Sequence, residues 1–443
     1  MEIVLIKAAQ LILSLSLLVI IHEFGHFLLA RAFKTRVEKF YLFFDPWFSL
    51  FKVKRGDTEY GVGWLPLGGY VKISGMIDES MDKEAMKLPP QPYEFRAKKS
   101  WQRLLIMVGG VFMNFILAFI IYIGILYAWG EQYLPTANVK YGIEVDSIGQ
   151  KIGLQNGDKI LSVANLPVED FHNIIPTVML DKAQTIQVER NGQKVDVEVS
   201  DEDLAMLIKS RGGVLSFRIP FDYTIARFGK NSVAKEAGMK EGDQILGMNG
   251  QRYEYNDQFK AALRDSIGKA VTLDVMRAGK EMSFALTVPE TGALGVVLNQ
   301  DLRKIFEFKT IKYGIIASIP AGINKGFSTL SDYLKQFKLI FSPKTKAYES
   351  LGGFITIGNI FPGAWNWYSF WSMTALLSII LGVMNLLPIP ALDGGHVLFL
   401  LFEMITGRKP GDKFLEYAQI VGMVLLLALV LYANLNDVYK LFK

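Results

Sequence analysis

Residues 11–29, LILSLSLLVIIHEFGHFLL, restrict what this chain can become more than any other stretch. The run is apolar for nearly the length a helix needs to cross a bilayer core, about 20 residues. Inside it sit His22, Glu23 and His26. Ionisable side chains in a span cost several kcal/mol, so they mark function. His22 and His26 are four apart and share one helix face, where two imidazoles can hold one metal ion. Glu23 is placed to act as a base towards water at that metal. The pattern is H-E-x-x-H, the spacing of zinc-binding helices. The bland alternative, a surface helix with two unrelated histidines, leaves a glutamate and two imidazoles unsolvated in lipid.

Composition agrees with a chain that is only partly membrane. Of 443 residues, 51% are hydrophobic and 21% charged, which suits spans combined with soluble modules. A net charge of +5 without a long basic block gives no case for nucleic acid. The chain has no cysteine, so disulfides and thiolate zinc sites are excluded and the ligand pool is histidine and carboxylate.

Read in order, residues 1–30 form a first span, retained because no small-x-small cleavage site precedes the histidines. Arg31, Lys34, Arg36 and Lys39 follow it at once, a cytoplasmic flank by the positive-inside rule. Residues 31–103 are a cytoplasmic-side polar loop with a β-rich heart at 59–73, punctuated by Gly61, Gly63, Gly68 and Gly69. A hairpin over 61–72 is expected there. It is either a plain cap or an edge beside the metal that binds an extended substrate. Residues 78–99, with three prolines, read as a mobile polar loop. The second span is 104–128, and Asn114, its one strongly polar residue, reads as an interhelical hydrogen bond.

The middle of the chain changes character to alternating strands and turn residues. An internal repeat appears at an offset of 85: Gly153, Gly157 and Asp158 match Gly238, Gly242 and Asp243, with Asn165 opposite Gly250. Each copy continues with a helix (171–180; 256–265) and a hairpin (186–199; 271–288). Two modules are expected, 129–210 and 211–300. They resemble PDZ domains of the bacterial type, which bind chain ends by adding a strand; alternatively they only filter by size. Residues 301–365 form an amphipathic membrane-surface segment that Pro320 breaks, followed by an interfacial belt of Trp365, Trp367 and Trp371. The third span lies in 366–396, where Pro388 and Pro390 must interrupt the helix. Residues 397–443 hold a cytoplasmic loop and the fourth span. Counting from the first flank, the N-terminus and the repeat pair lie outside and the metal site lies towards the cytoplasm.

A catalytic zinc needs three protein ligands and an open position. His172 belongs to the outside module and is excluded. Asp393 and His396 remain, and the broken helix favours Asp393 without deciding the matter.

H22-E-F-G-H26 in the first span, the two PDZ-like copies and N385-x-x-P-x-x-x-L-D393-G together resemble the site-2 protease family of intramembrane zinc metalloproteases. The likeness is to its bacterial regulator-of-sigma-E branch, with four spans and tandem PDZ domains, and it covers essentially the whole chain. It implies one zinc per chain on His22, His26 and Asp393, with Glu23 as catalytic base. Asn385 would hold substrate or the oxyanion, and His396 would be structural. The resemblance also implies an inner-membrane enzyme cleaving single-pass substrates already shortened by another protease. Release of a regulator from an anti-sigma factor and clearance of signal-peptide remnants are both consistent with it. Two other functions compete, a non-catalytic PDZ scaffold and a membrane-bound zincin acting on soluble peptides. The chain departs from the family at two points, having Gly109-Gly110-Val111 and Gly353-Phe354 where Gly-Pro is common.

Overall fold

The computed structural model describes residues 2–66, 68–76, 89–210, 213–340 and 352–442. These divide into two compact units. The first holds the described residues up to Gly130, then Lys312–Leu334 and those from 352 on. The second holds Glu131–Ile311 and the described residues beyond Leu334 up to 340.

The first unit is built on α1 (Glu2–Ala32), α2 (Ser100–Ala128), α3 (Ile315–Ile340, as far as Leu334), α4 (Trp367–Asn385), α5 (Asp393–Thr406) and α6 (Asp412–Leu441). Among the described residues, α1, α2, α4 and the Lys413–Lys440 part of α6 are long and apolar enough to cross a membrane, as the hydrophobic runs predict. Lipid tails are as apolar as leucine, so such helices associate through close packing and buried polar contacts. Both devices are present. A Cβ on Gly25 of α1 would lie 2.2 Å from the Gly109 carbonyl oxygen of α2, so only glycine permits this crossing. A polar seam ties α4 to its neighbours: Thr374 Oγ1 donates to Ser14 Oγ at 3.0 Å, and Ser378 Oγ donates to the Asn114 carbonyl at 2.7 Å.

Three expectations need correction. Residues 61–72 are not a hairpin. They contribute β3 (Thr58–Leu65) and β4 (Tyr70–Ile73) to a four-stranded sheet with β1 (Val37–Leu42) and β2 (Phe44–Arg55), in the order β2–β3–β1–β4. β3 runs parallel to β1 and β4 antiparallel to it, so β1 lies between the two supposed hairpin arms. Both edges of β3 are therefore occupied. Gly61 and Gly63 make room for the neighbours, since a Cβ would stand 2.3 Å from the Tyr41 ring and 2.1 Å from the Phe44 carbonyl oxygen respectively.

Secondly, Pro320 does not end its helix; it sits in the second turn of α3, where it removes a single backbone bond. α3 also packs on α2. Gly322 and Gly326, one turn apart, bring it against Ile123 and Phe119 of α2, and Leu330 and Tyr333 pack on the same cluster. Thirdly, helix α5 continues past residue 396 to Thr406, because the 397–406 segment remains apolar and Glu403 pairs with Arg103 of α2. Of the polar loop expected at 78–99, residues 78–88 lie outside the described residues.

The second unit carries the two repeats. Lys159–Val163, Thr185–Arg190 and Gln193–Glu198 form an antiparallel sheet in one copy, and Gln244–Met248, Ala270–Arg277 and Lys280–Thr287 pair likewise in the other. The helices fall as predicted, at Ile174–Leu180 after a 3-10 turn and at Asn256–Asp265. Asn165 (φ 64°) and Gly250 (φ 77°) both take the left-handed turn their alignment requires. The repeated aspartates form the same lock. Arg190 Nε and Nη2 donate to Asp158 at 2.8 and 2.7 Å, and Arg277 Nε and Nη2 donate to Asp243 at 2.7 and 2.6 Å. A backbone N–H three residues back completes each, from Gln155 and Lys240.

Candidate active site

Helix α1 presents His22 and His26 on one buried face, their rings edge to face with centroids 4.9 Å apart. Their Nε2 atoms are 3.2 Å from each other. The third member arrives from the other end of the sequence. α4 ends at Asn385, Pro388 and Pro390 forbid a regular continuation, and the chain passes through Ala391 at φ 85° before α5 begins at Asp393. A non-glycine residue in that region stores about 1–3 kcal/mol of strain, a common cost at functional sites. Gly394 and Gly395 let the turn close, because Cβ atoms there would strike the Leu387 and Ile389 carbonyl oxygens at 2.2 and 2.6 Å. As a result, Asp393 Oδ2 lies 3.1 Å from His22 Nε2 and 3.3 Å from His26 Nε2.

The second span supplies the floor of the site, which the sequence reading did not anticipate. A Cβ on Gly110 would lie 2.4 Å from His26 Nε2 and 2.7 Å from His22 Cε1, so the rings occupy the space a side chain would take. His26 Nδ1 donates to the Ile106 carbonyl oxygen at 2.8 Å, leaving Nε2 as the lone-pair nitrogen. Asn114 lies on the other flank, its amide 3.1 Å from His22 Nδ1. The available signals were the Gly-Gly pair and the lone asparagine inside an apolar run; neither named its partner. Gly110, within the Gly109-Gly110-Val111 stretch where the chain departs from the family, thus has a use at the site itself.

A cavity of about 640 Å³ opens onto these groups, with Glu23, His396, Gly69 and strand β4 on its wall. Glu23 is half-buried beside the two imidazoles. Asn385 Nδ2 lies 3.4 Å from His22 Nε2. Of the four glycines expected to bind substrate, Gly69 reaches the wall. Gly61 and Gly63 are inside the sheet, and Gly68 packs by the Phe44 ring. His396, one turn beyond Asp393, lines the cavity but stands outside the convergent triad.

Does the triad fit a metal? Asp393 Oδ2 is buried with no hydrogen-bond partner, an expensive state for a carboxylate oxygen unless a cation faces it. Three potential ligand atoms 3.1–3.3 Å apart also match the edge of a tetrahedron with zinc-to-ligand bonds of 2.0–2.1 Å, about 3.3 Å. Nitrogen and carboxylate oxygen are zinc donors. The residues fit.

Two imidazoles and a carboxylate gathered inside a bundle of span-length helices, with a glutamate on the wall of the same cavity, define a membrane-embedded metallohydrolase. Comparison with known proteins narrows this: the model of peptidase family M50 matches residues 10–429, and the chain belongs to that family. It is a metalloprotease of the site-2 type. The chain is 29% identical to the regulator of sigma-E protease RseP of Escherichia coli, covering 98% of each. It is 28% identical to the protease RseP of Yersinia pestis over 99% of each. A Neisseria meningitidis protein provisionally described as a zinc metalloprotease is 29% identical over 97% of this chain and 98% of its own.

Proposed function

We propose that this chain is an intramembrane zinc endopeptidase with one zinc held by His22, His26 and Asp393, acting on single-pass proteins of the inner membrane. The observation that carries this is the 3.1–3.3 Å triangle of His22 Nε2, His26 Nε2 and Asp393 Oδ2 inside a span bundle, opening on a cavity that Glu23 shares. When bound, zinc makes water nucleophilic near neutral pH and polarises a carbonyl. Glu23 takes the proton as the water oxygen adds to the scissile carbonyl carbon, and returns it to the departing nitrogen as the C–N bond breaks. The Asn385 amide, close beside the triad, donates to the oxygen that gains charge.

A helical substrate hides its carbonyls and must become extended before it is cut. Strand β4 supports that role, since it is the terminal strand of its sheet and residues 69–73 line the cavity. Of the predicted glycines, Gly69 serves this edge directly and Gly61, Gly63 and Gly68 shape the sheet behind it. Trp47, Phe48, Leu50 and Phe51 on β2 are exposed apolar residues that fit contact with lipid.

The two repeats, read as PDZ-like modules outside the membrane, bind peptide ends or exclude bulky substrates, so that substrates are first shortened by another protease. The relatives named regulators of sigma-E support an anti-sigma factor as one substrate; signal-peptide remnants are a second. Cleavage of a detergent-solubilised single-span reporter, with and without chelator, tests the reading. Cleavage that survives chelation sinks it, and equal cleavage of an unanchored peptide moves the enzyme to soluble substrates.

A further inference from the structure

We infer that Asn114 is a positioning residue of the metal centre, its side-chain oxygen accepting the Nδ1–H of His22 and so turning the lone pair of His22 Nε2 towards the metal. This rests on the zinc reading above and goes beyond it, since that reading needs His22 only as a ligand.

Two observations meet at Asn114. Its side-chain nitrogen stands 3.1 Å from His22 Nδ1, while its Oδ1 is buried with no partner. The residue is completely buried within α2. In that orientation the amide N–H donates to Nδ1, which leaves the ring proton on Nε2. A protonated Nε2 cannot ligate a metal. An amide's oxygen and nitrogen occupy near-identical positions, and the hydrogen-bond network decides between them. Turned by half a revolution about its last bond, the same side chain gives Oδ1 a donor, places the ring proton on Nδ1 and frees Nε2. The rotation pairs Oδ1 and frees His22 Nε2 for a metal, and the amide nitrogen takes the place Oδ1 held.

Symmetry of role supports the assignment. His26 has the equivalent arrangement, its Nδ1–H bound by the Ile106 carbonyl oxygen of the same helix. Ile106 and Asn114 lie on either side of Gly110, against which both rings pack. Ser378 Oγ donates to the Asn114 backbone carbonyl, which fixes that turn of α2 against α4. The second span therefore sets the tautomer of both histidines. A histidine ligand generally donates its second nitrogen in this way, and loss of the acceptor weakens metal binding about 10- to 100-fold.

Zinc affinity of the purified full-length protein, measured by competition with a chromophoric chelator, is the test, with thermal melting of the metal-free forms alongside. Asn114→Leu removes the acceptor at similar size and is expected to weaken zinc binding about 10- to 100-fold. Asn114→Asp can only accept, and is expected to bind zinc at least as well as the parent. If Asn114 instead acted as a donor or as mere packing, the aspartate form would lose zinc as the leucine form does, and that result overturns the inference. Unchanged affinity in Asn114→Leu overturns it as well. Should the leucine form fail to fold, the aspartate form still decides. A parent protein that holds no zinc removes the reading underneath and this inference with it, an outcome distinguishable because it appears before any variant is made.

Discussion

Asp158 and Asp243 of the repeat unit and Asp393 of the span unit are set in opposite surroundings. In the repeat unit, Asp158 and Asp243 are almost fully buried, and each is satisfied by two guanidinium N–H groups and a backbone N–H. In the span unit, Asp393 turns a buried oxygen towards two imidazole nitrogens and has no hydrogen-bond partner for it. A fold that satisfies its carboxylates this thoroughly in one place does not leave one bare elsewhere by accident. The satisfied pair serves architecture, tying a turn to a strand. The other, on the proposed reading, serves a cation.

The widest gap between the two kinds of site is in turnover. Glu23→Gln is expected to lower cleavage of a single-span reporter by about 10²–10⁴-fold, the usual worth of a general base, while zinc content stays at the parental level. Changes at the Asp158 and Asp243 locks are expected to leave the chemical step alone. Next comes Gly110→Ala, whose added methyl collides with both imidazoles. Overpacking of about 1–3 kcal/mol, taken up by displaced ligands, corresponds to a loss of about 10- to 100-fold in zinc affinity. Equal affinity would show that the rings have room they do not have here.

The comparison is sharpest where one substitution is made in each unit and melting is followed in chelator. Asp243→Asn removes the charge that faces Arg277, which keeps the Gly238 carbonyl as hydrogen-bond acceptor, and is expected to lower the melting temperature of the second unit. Asp393 faces two imidazole nitrogens and no guanidinium, so Asp393→Asn is expected to shift the metal-free melting temperature by less than Asp243→Asn does. An equal shift would break the distinction.

The smallest effect is a pH dependence. The Arg277 guanidinium holds the Asp243 carboxyl below its ordinary value, against the opposing pull of burial. A carboxyl whose folded pKa is depressed contributes stability that is complete above its unfolded value, about 3.9. That stability is lost as pH falls through the lower, folded value. Asp243→Asn should flatten the acid limb of the second unit's melting curve below about pH 4. An unchanged limb would mean the pair contributes nothing.

How much of this was legible beforehand depends on distance along the chain. The H-E-x-x-H face, the four long apolar helices and the 85-residue repeat rest on local spacing, and each lies where the sequence put it. The repeat's Gly-Asp turn even announced its left-handed partner positions. Residues 59–73 misled because short strands rich in glycine suggest a hairpin, whereas β1 arrives from upstream and separates the two arms. α3 misled because a proline in an amphipathic stretch suggests a break, and the purpose of Gly322 and Gly326 is visible only with α2 against them.

Local periodicity alone therefore determined that this chain crosses a membrane, repeats a module and carries two imidazoles ready for one metal. Tertiary structure decided which distant residue joins them, Asp393 and not His396, and that Gly110 and Asn114 complete the setting. Helix geometry fixes the relation of residues four apart wherever the helix goes. The meeting of residues hundreds of positions apart depends on which surfaces pack, and a glycine or an amide acquires its meaning only from the neighbour it faces.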